Sequence, residues 1–290
     1  MKIPHSEVIM RSMRNVTFEQ IAAAAEECVK ACGKLTQSCK NKLQSCLEKE
    51  SGSSARFALS MLIENAETAE KEGLAVCQDT GMAVFFAKVG QDVHIEGGLL
   101  EDAINEGVRR GYRKNGYRAS VLDPITRINT RDNTPAVVHI ELTEGDKITL
   151  DFLPKGFGSE NMSRLYMLTP SAGLDGVKNC IVDAVKLAGS NPCPPVVIGV
   201  GIGGTAEKAM EVAKRQLLRD IGTPSDDAAL ADMERECLSR INALGIGAQG
   251  FGGDTTALAV HIGKYPTHIS ALPVAVNVQC NAVRLGHAEI

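Results

Sequence analysis

A chain of 290 residues with 44% hydrophobic and 23% charged residues has interior enough for one large folded unit or two modest ones, and such a composition excludes a disordered chain. A formal net charge of -4, no Trp and only 4% aromatic residues argue against a general nucleic-acid binder and against a surface on which bases or sugars stack. No stretch approaches the roughly 20 apolar residues that a membrane helix needs, and Met1-Lys2-Ile3-Pro4-His5-Ser6 lacks the apolar core of a secretory signal, so a soluble, cytoplasmic protein that does not engage membranes is expected.

Residues 1–73 read as helical, with apolar positions at three- and four-residue spacing over 3–13, 17–31 and 54–72. Thr17 followed by Gln20 forms a candidate capping box, and Glu50-Ser51-Gly52-Ser53-Ser54 reads as a flexible break. Cys28, Cys32, Cys39 and Cys46 fall in this region without the Cys-x-x-Cys turns of zinc knuckles, so they read as small apolar residues on helix faces.

Val76-Cys77-Gln78-Asp79-Thr80-Gly81 places a thiol, an amide, a carboxylate and a hydroxyl in one loop before the apolar strand expected at 82–89. A short extended piece at 94–96 and a helix at 99–114 follow. Residues 116–134 have little apolar periodicity but hold Arg118, Arg127 and Arg131; long irregular segments inside compact domains tend to be functional. Residues 136–142 and 147–153 alternate in polarity around Thr143-Glu144-Gly145-Asp146, which predicts a hairpin. The turn Pro154-Lys155-Gly156-Phe157-Gly158 follows, its glycines open to close backbone approach by a ligand and Lys155 adding positive charge.

A helix is expected at 173–188, with Cys180 inside it. Asn191-Pro192-Cys193-Pro194-Pro195 then precedes a buried strand at 196–200, and the flanking prolines hold Cys193 in a rigid loop. Gly199-Val200-Gly201-Ile202-Gly203-Gly204 satisfies the G-x-G-x-x-G pattern between a strand and a helix at 205–218. The second parallel strand with its terminal acid is missing about 20 residues on, where a helix at 226–244 is expected, so a tight strand-to-helix turn accounts for the pattern better than a dinucleotide site. Strands at 256–262 and 273–278 flank Tyr265-Pro266-Thr267-His268-Ile269, and Cys280 follows the last of them. The fold class is therefore α/β: a helical N-terminal region (1–73), then mixed β-sheets flanked by helices (74–290), in a single large domain.

The nine cysteines of a chain without a secretory signal read as free thiols or metal ligands rather than disulfides. Cys77, Cys193 and Cys280 differ from the other six in lying in loops that abut hydrophobic strands. Their wide separation suits a cubane iron–sulfur cluster, whose thiolates can come from distant loops. Three thiolates on four irons would leave one iron open as a Lewis acid, which points to hydro-lyase chemistry. Arg118 and Lys155 could bind carboxylates, with Gln78, Asp79 and His268 for hydrogen bonding and proton handling. A Rossmann-type oxidoreductase using residues 199–204, and a non-catalytic scaffold with inert cysteines, stay as alternatives at this point.

Several motifs together carry a resemblance over nearly the whole chain: Cys77-Gln78-Asp79-Thr80-Gly81, Gly90-Gln91-Asp92-Val93-His94, Asp132-Asn133-Thr134-Pro135, Lys155-Gly156-Phe157-Gly158-Ser159-Glu160-Asn161-Met162-Ser163, Asn191-Pro192-Cys193-Pro194-Pro195, residues 199–205, Pro266-Thr267-His268-Ile269 and Asn277-Val278-Gln279-Cys280. With these the sequence resembles class I, iron–sulfur-dependent fumarate hydratase, in its two-subunit form the α subunit. The resemblance implies a [4Fe-4S] cluster on Cys77, Cys193 and Cys280, with the fourth iron open to substrate. It also implies a dicarboxylate pocket lined by Gln78, Asp79, Arg118, a backbone group of the turn at Gly156, Phe157 and Gly158, and His268, acting on fumarate and malate. Phe157 stands where many relatives have a third glycine, and Asn281 where His or Trp is common. The α subunit of L-tartrate dehydratase is the nearest competitor, and Lys155-Gly156-Phe157-Gly158-Ser159-Glu160-Asn161 with Pro266-Thr267-His268-Ile269 favours fumarate. Single-chain relatives carry a second domain after the last cysteine, so a separate β subunit, in an α2β2 assembly, is expected to supply the remaining basic groups and the catalytic base.

Overall fold

The computed structural model describes residues 13–290. In chain order the elements are β1 (Arg14–Thr17), α1 (Phe18–Val29), α2 (Gln37–Lys49), α3 (Ser53–Glu72), β2 (Met82–Gly90), β3 (Val93–Glu96), α4 (Leu100–Lys114), β4 (Val137–Thr143), β5 (Ile148–Lys155), the single turn α5 (Phe157–Glu160), β6 (Arg164–Leu168), α6 (Gly173–Ala188), β7 (Val196–Gly203), α7 (Ala206–Gln216), α8 (Ala228–Asn242), β8 (Ala257–Tyr265), β9 (Leu272–Gln279) and β10 (Gly286–Glu289). The mixed α/β class expected from the sequence is the one found. The helix expected over 3–13 falls, apart from Met13, outside the described residues.

The capping box is present. The Thr17 side-chain oxygen accepts the Gln20 backbone N–H at 3.2 Å, and the Gln20 side-chain oxygen accepts that of Thr17 at 2.8 Å. The break at 50–54 is pinned rather than flexible: buried Glu50 accepts the N–H groups of Asp254 and Thr255, and Ser51 donates to the Asp254 carboxylate at 2.6 Å. A carboxylate that satisfies two loop N–H groups away from water fixes both segments.

Two four-stranded sheets form the body, in the orders β10-β5-β2-β4 and β6-β9-β7-β8. The hairpin expected between β4 and β5 does not form, because β2 lies between them, parallel to β4 and antiparallel to β5. The reason lies in β2 itself. Its alternate residues Ala83, Phe85 and Ala87 face one core while Val84 and Phe86 face another, so both faces are buried and both edges need backbone partners. β4 carries mostly exposed or half-exposed residues and takes the sheet edge. The second sheet repeats the plan: β7 is central, parallel to β8 and antiparallel to β9, and β6 pairs with the far side of β9.

α1 and α4 cover one face of the first sheet, and α6 and α8 pack on the second. A third core joins α2 and α3 to Val84, Phe86 and Leu153 of the first sheet and to Val197 and Leu258 of the second. The G-x-G-x-x-G run resolves into close packing. Gly199 and Gly201 lie inside β7, where an added Cβ would stand 2.1 Å from Ala213 O and 2.1 Å from Ala209 O of α7. These glycines let the helix backbone rest on the strand.

Candidate functional site

The two sheets present equivalent strand ends to one region. Met82, at the start of β2, pairs with Lys155 at the end of β5, and Val197, near the start of β7, pairs with Gln279 at the end of β9. Cys77 and Cys193 precede the two central strands, and Gly156 and Cys280 follow their antiparallel neighbours. All nine cysteines are free.

The Cys77 loop is held from behind. Tyr112 donates its hydroxyl to Thr80 O at 2.9 Å and to Gly81 O at 3.1 Å; Asn133 donates to Gly81 O at 3.2 Å, and the Thr80 hydroxyl to Arg118 O at 3.3 Å. Gly81 has φ +78°, and a Cβ there would meet Pro154 C at 2.7 Å, so the position requires glycine. With Thr80 buried and anchored, Cys77 and Gln78 stay exposed. The Asp79 carboxylate is oriented by two backbone donors, Gly81 N–H and Phe157 N–H, each at 3.0 Å. The Phe157 N–H of the glycine turn is thus committed to Asp79. The Phe157 side chain and Gly158 are exposed, and Gly156 backs onto the Asp79 carboxylate, 3.1 Å from where its Cβ would be.

Cys193 is exposed with φ +54°, a left-handed conformation that a side chain adopts only under restraint. Its N–H donates to Ser190 O, and Pro194 O accepts from the Gln249 backbone at 2.8 Å. Asn281, the residue after Cys280, donates its side-chain amide to Cys193 O at 2.7 Å, which ties two of the cysteine loops directly together. Burial pushes the Cys193 thiol up, and the electrostatic influence of Cys280, Cys77 and Asp79 adds to that effect. Those three groups therefore share its surroundings.

Burial acts on the other six thiols in the same direction. Burial raises every one of them, Cys28 and Cys39 to about 12, Cys32 and Cys237 to about 11, so they stay protonated. Among the described residues no three His, Cys, Asp or Glu side chains converge closely enough for a single metal ion. The soft thiol chemistry of the three loop cysteines, none of them in a disulfide, suits iron and sulfide.

Arg118 is exposed, anchored through its backbone, and its guanidinium makes no hydrogen bond or ion pair with the described residues. Lys155 is placed otherwise than the sequence suggested. It is 1% exposed, and its ammonium donates to Ser159 Oγ and Val278 O, both at 2.8 Å, and pairs with Glu160 at 3.3 Å. With its donors spent inside the fold, Lys155 braces β5 against β9 instead of reaching a ligand. Burial lowers it to about 8, against the pull of Glu160. His268 is exposed on a cleft lined by Gly204, Lys208, Tyr265 and Thr267, and its Nδ1 is 2.8 Å from Ser270 Oγ. The cleft is distinct in its lining from the cysteine loops. Arg127 and Arg131 are exposed, both at positive φ, on the segment that Asn133 pins to Gly81.

Sequence reasoning missed Tyr112, Asn133, Asn281 and Arg284 as supports of the site. Only Asn133, inside its Asp-Asn-Thr-Pro turn, and Asn281, beside a cysteine, carried any signal.

A family model described as fumarate hydratase (Fumerase) matches residues 21–289. The chain belongs to the fumarate hydratase family, a family of hydro-lyases. It is 41% identical to the putative L(+)-tartrate dehydratase subunit alpha of Methanocaldococcus jannaschii, over 86% of this chain and 90% of that one. It is 30% identical to the L(+)-tartrate dehydratase subunit alpha of Escherichia coli K12, over 86% of this chain and 85% of that one. The loops of Cys77, Cys193 and Cys280 all lie within the matched residues. No described helix is long and apolar enough to cross a membrane.

Proposed function

We propose that this chain is the α-type subunit of a dicarboxylate hydro-lyase that holds a [4Fe-4S] cluster on Cys77, Cys193 and Cys280 and catalyses the reversible hydration of fumarate to (S)-malate. The observation that supports the reading is the placing of Cys77, Cys193 and Cys280 in three loops at equivalent strand ends, with Cys77, Cys280 and the oriented carboxylate of Asp79 all near enough to act on the Cys193 thiol. Bound there, a cluster with three protein ligands would supply a Lewis-acidic iron for the departing hydroxyl.

The chain's own residues then have distinct tasks. Arg118, with its guanidinium uncommitted, binds and orients a substrate carboxylate through paired charge-assisted hydrogen bonds. Gln78, exposed beside Cys77, hydrogen-bonds the substrate. Asp79 handles the proton of the hydroxyl, and the turn at Gly156, Phe157 and Gly158 acts through Asp79 by holding its carboxylate in place. A second proton-handling role for His268 requires that its separate cleft open onto the same bound substrate. Removal of the C3 proton and the remaining carboxylate contacts fall to a β subunit, in an α2β2 assembly. The name "subunit alpha" borne by the relatives supports a partner chain.

Those same names favour a second reading, dehydration of L-tartrate. An anaerobic assay of the chain co-expressed with its partner, run against both substrates, separates the two. A higher kcat/KM on fumarate supports the first reading, and a higher value on L-tartrate the second. Anaerobic reconstitution with iron and sulfide tests the cluster: Cys77→Ser, Cys193→Ser and Cys280→Ser should each lose most of the bound iron and sulfide. Unchanged cluster content in all three overturns the assignment.

A further inference from the structure

Arg284 heads the fully buried side chains by volume, at 1% exposed. Nε donates to Ala282 O at 3.3 Å and Nη2 donates to Asp79 O at 3.1 Å. Both acceptors are backbone carbonyls, so neither neutralises the guanidinium. Nη1, also buried, has no hydrogen-bond partner among the described residues. Other cations drawn into the structure are paired: Lys155 and Lys214 with Glu160, and Arg219 with Glu234 at 2.7 Å. A buried charge without a counter-charge is costly, and a guanidinium cannot shed its proton to escape that cost. An unpaired buried arginine beside a site built for thiolates is an arrangement that an anionic occupant completes.

Its position is specific. Arg284 lies four residues after Cys280, and through Asp79 it grips the loop that carries Cys77. Cys32, Tyr112 and Tyr117, which pack behind that loop, feel its positive charge. Resting on the three-cysteine reading above, we propose that Arg284 is a positioning residue of that site: it ties the Cys77 loop to the turn after Cys280, and its charge offsets the negative charge of the thiolate-held cluster.

The test uses the whole chain, reconstituted anaerobically with ferrous iron and sulfide, as wild type, Arg284→Met and Arg284→Lys. Four quantities are read: the cluster reduction potential by EPR-monitored titration, the rate of iron release to a chelator, and the thermal midpoints of the cluster-free and of the reconstituted chain. Arg284→Met should lower the potential by at least tenfold in the one-electron equilibrium, about 59 mV, and release iron at least tenfold faster. Its cluster-free midpoint should be no lower than that of wild type, because an uncompensated charge has been removed. Arg284→Lys should keep the wild-type potential and release iron several-fold faster, since the charge survives and the fork does not. Wild-type potential and release rate in Arg284→Met, or an equal loss of stability with and without cluster, overturns the proposal. Should Arg284→Met not fold, Arg284→Lys decides: a wild-type release rate overturns the positioning role, and a lowered potential overturns the charge role. A wild-type chain that takes up no iron and sulfide removes the three-cysteine reading itself, and this is seen before any variant is made.

Discussion

The two sheets share one plan, a central strand with a parallel neighbour on one side and an antiparallel neighbour on the other, yet they deliver different chemistry to the site. Each central strand is entered from a cysteine loop, Cys77 before β2 and Cys193 before β7. The antiparallel strands diverge at their ends. β5 closes on buried Lys155 and then Gly156, whose turn gives its N–H to Asp79; β9 closes on buried Gln279 and then Cys280. One sheet therefore ends in a device that orients a carboxylate, and the other in a third thiol. A shared topology fixes where functional atoms arrive, while the residue at each strand end fixes what they can do.

The division of labour can be broken at those two ends. The largest effect after loss of a cysteine is expected from Gly156→Ala, whose Cβ would crowd the Asp79 carboxylate. It should lower kcat/KM by roughly tenfold to a hundredfold, by misplacing a group held for reaction, while bound iron and sulfide stay at the wild-type level. Loss of iron in Gly156→Ala would merge the two roles. Asn281→Ala should act the other way. Removing the link to Cys193 O is expected to weaken cluster retention by about tenfold, in line with other supports of metal ligands, measured as the rate of iron release to a chelator. An unchanged rate would mean the cysteine loops hold their places without it. The smallest effect belongs to a thiol outside the comparison. Cys237→Ala should leave iron and sulfide content unchanged and cost about 1 kcal/mol of stability, read as a fall of about 2–4 °C in thermal midpoint; a fall in iron content would place a fourth cysteine in the site.

What the sequence made legible followed from chemistry that is local. Thr17 and Gln20 announce a helix start because the capping bonds span three residues. Cys193 stands out because the prolines around it restrict the backbone before any fold exists. The hairpin expected between β4 and β5 fails for a physical reason: alternation reports which face of a strand is buried, but not which strand lies beside it, and β2 takes an edge of each. β1, β6 and β10 are too short to show a period of two, and they are strands only because of the partners they find. Lys155 and Arg284 show the same limit in the site. A cation beside glycines reads as a ligand for anions until packing places it inside, and nothing around Arg284 in the chain foretells that its guanidinium meets Asp79, 205 residues away.

β9 belongs to the second sheet and β10 to the first, and Cys280 lies on the short segment that passes from one to the other. Cys77 leads into the first sheet and Cys193 into the second. Any group that binds all three thiols is therefore a mechanical staple across the two halves, in a molecule whose cysteines form no disulfide. It closes long loops of chain, as a cross-link does, and narrows the unfolded ensemble. Filling the site should therefore add to the third core a second tie between the two sheets and raise the thermal midpoint of the chain.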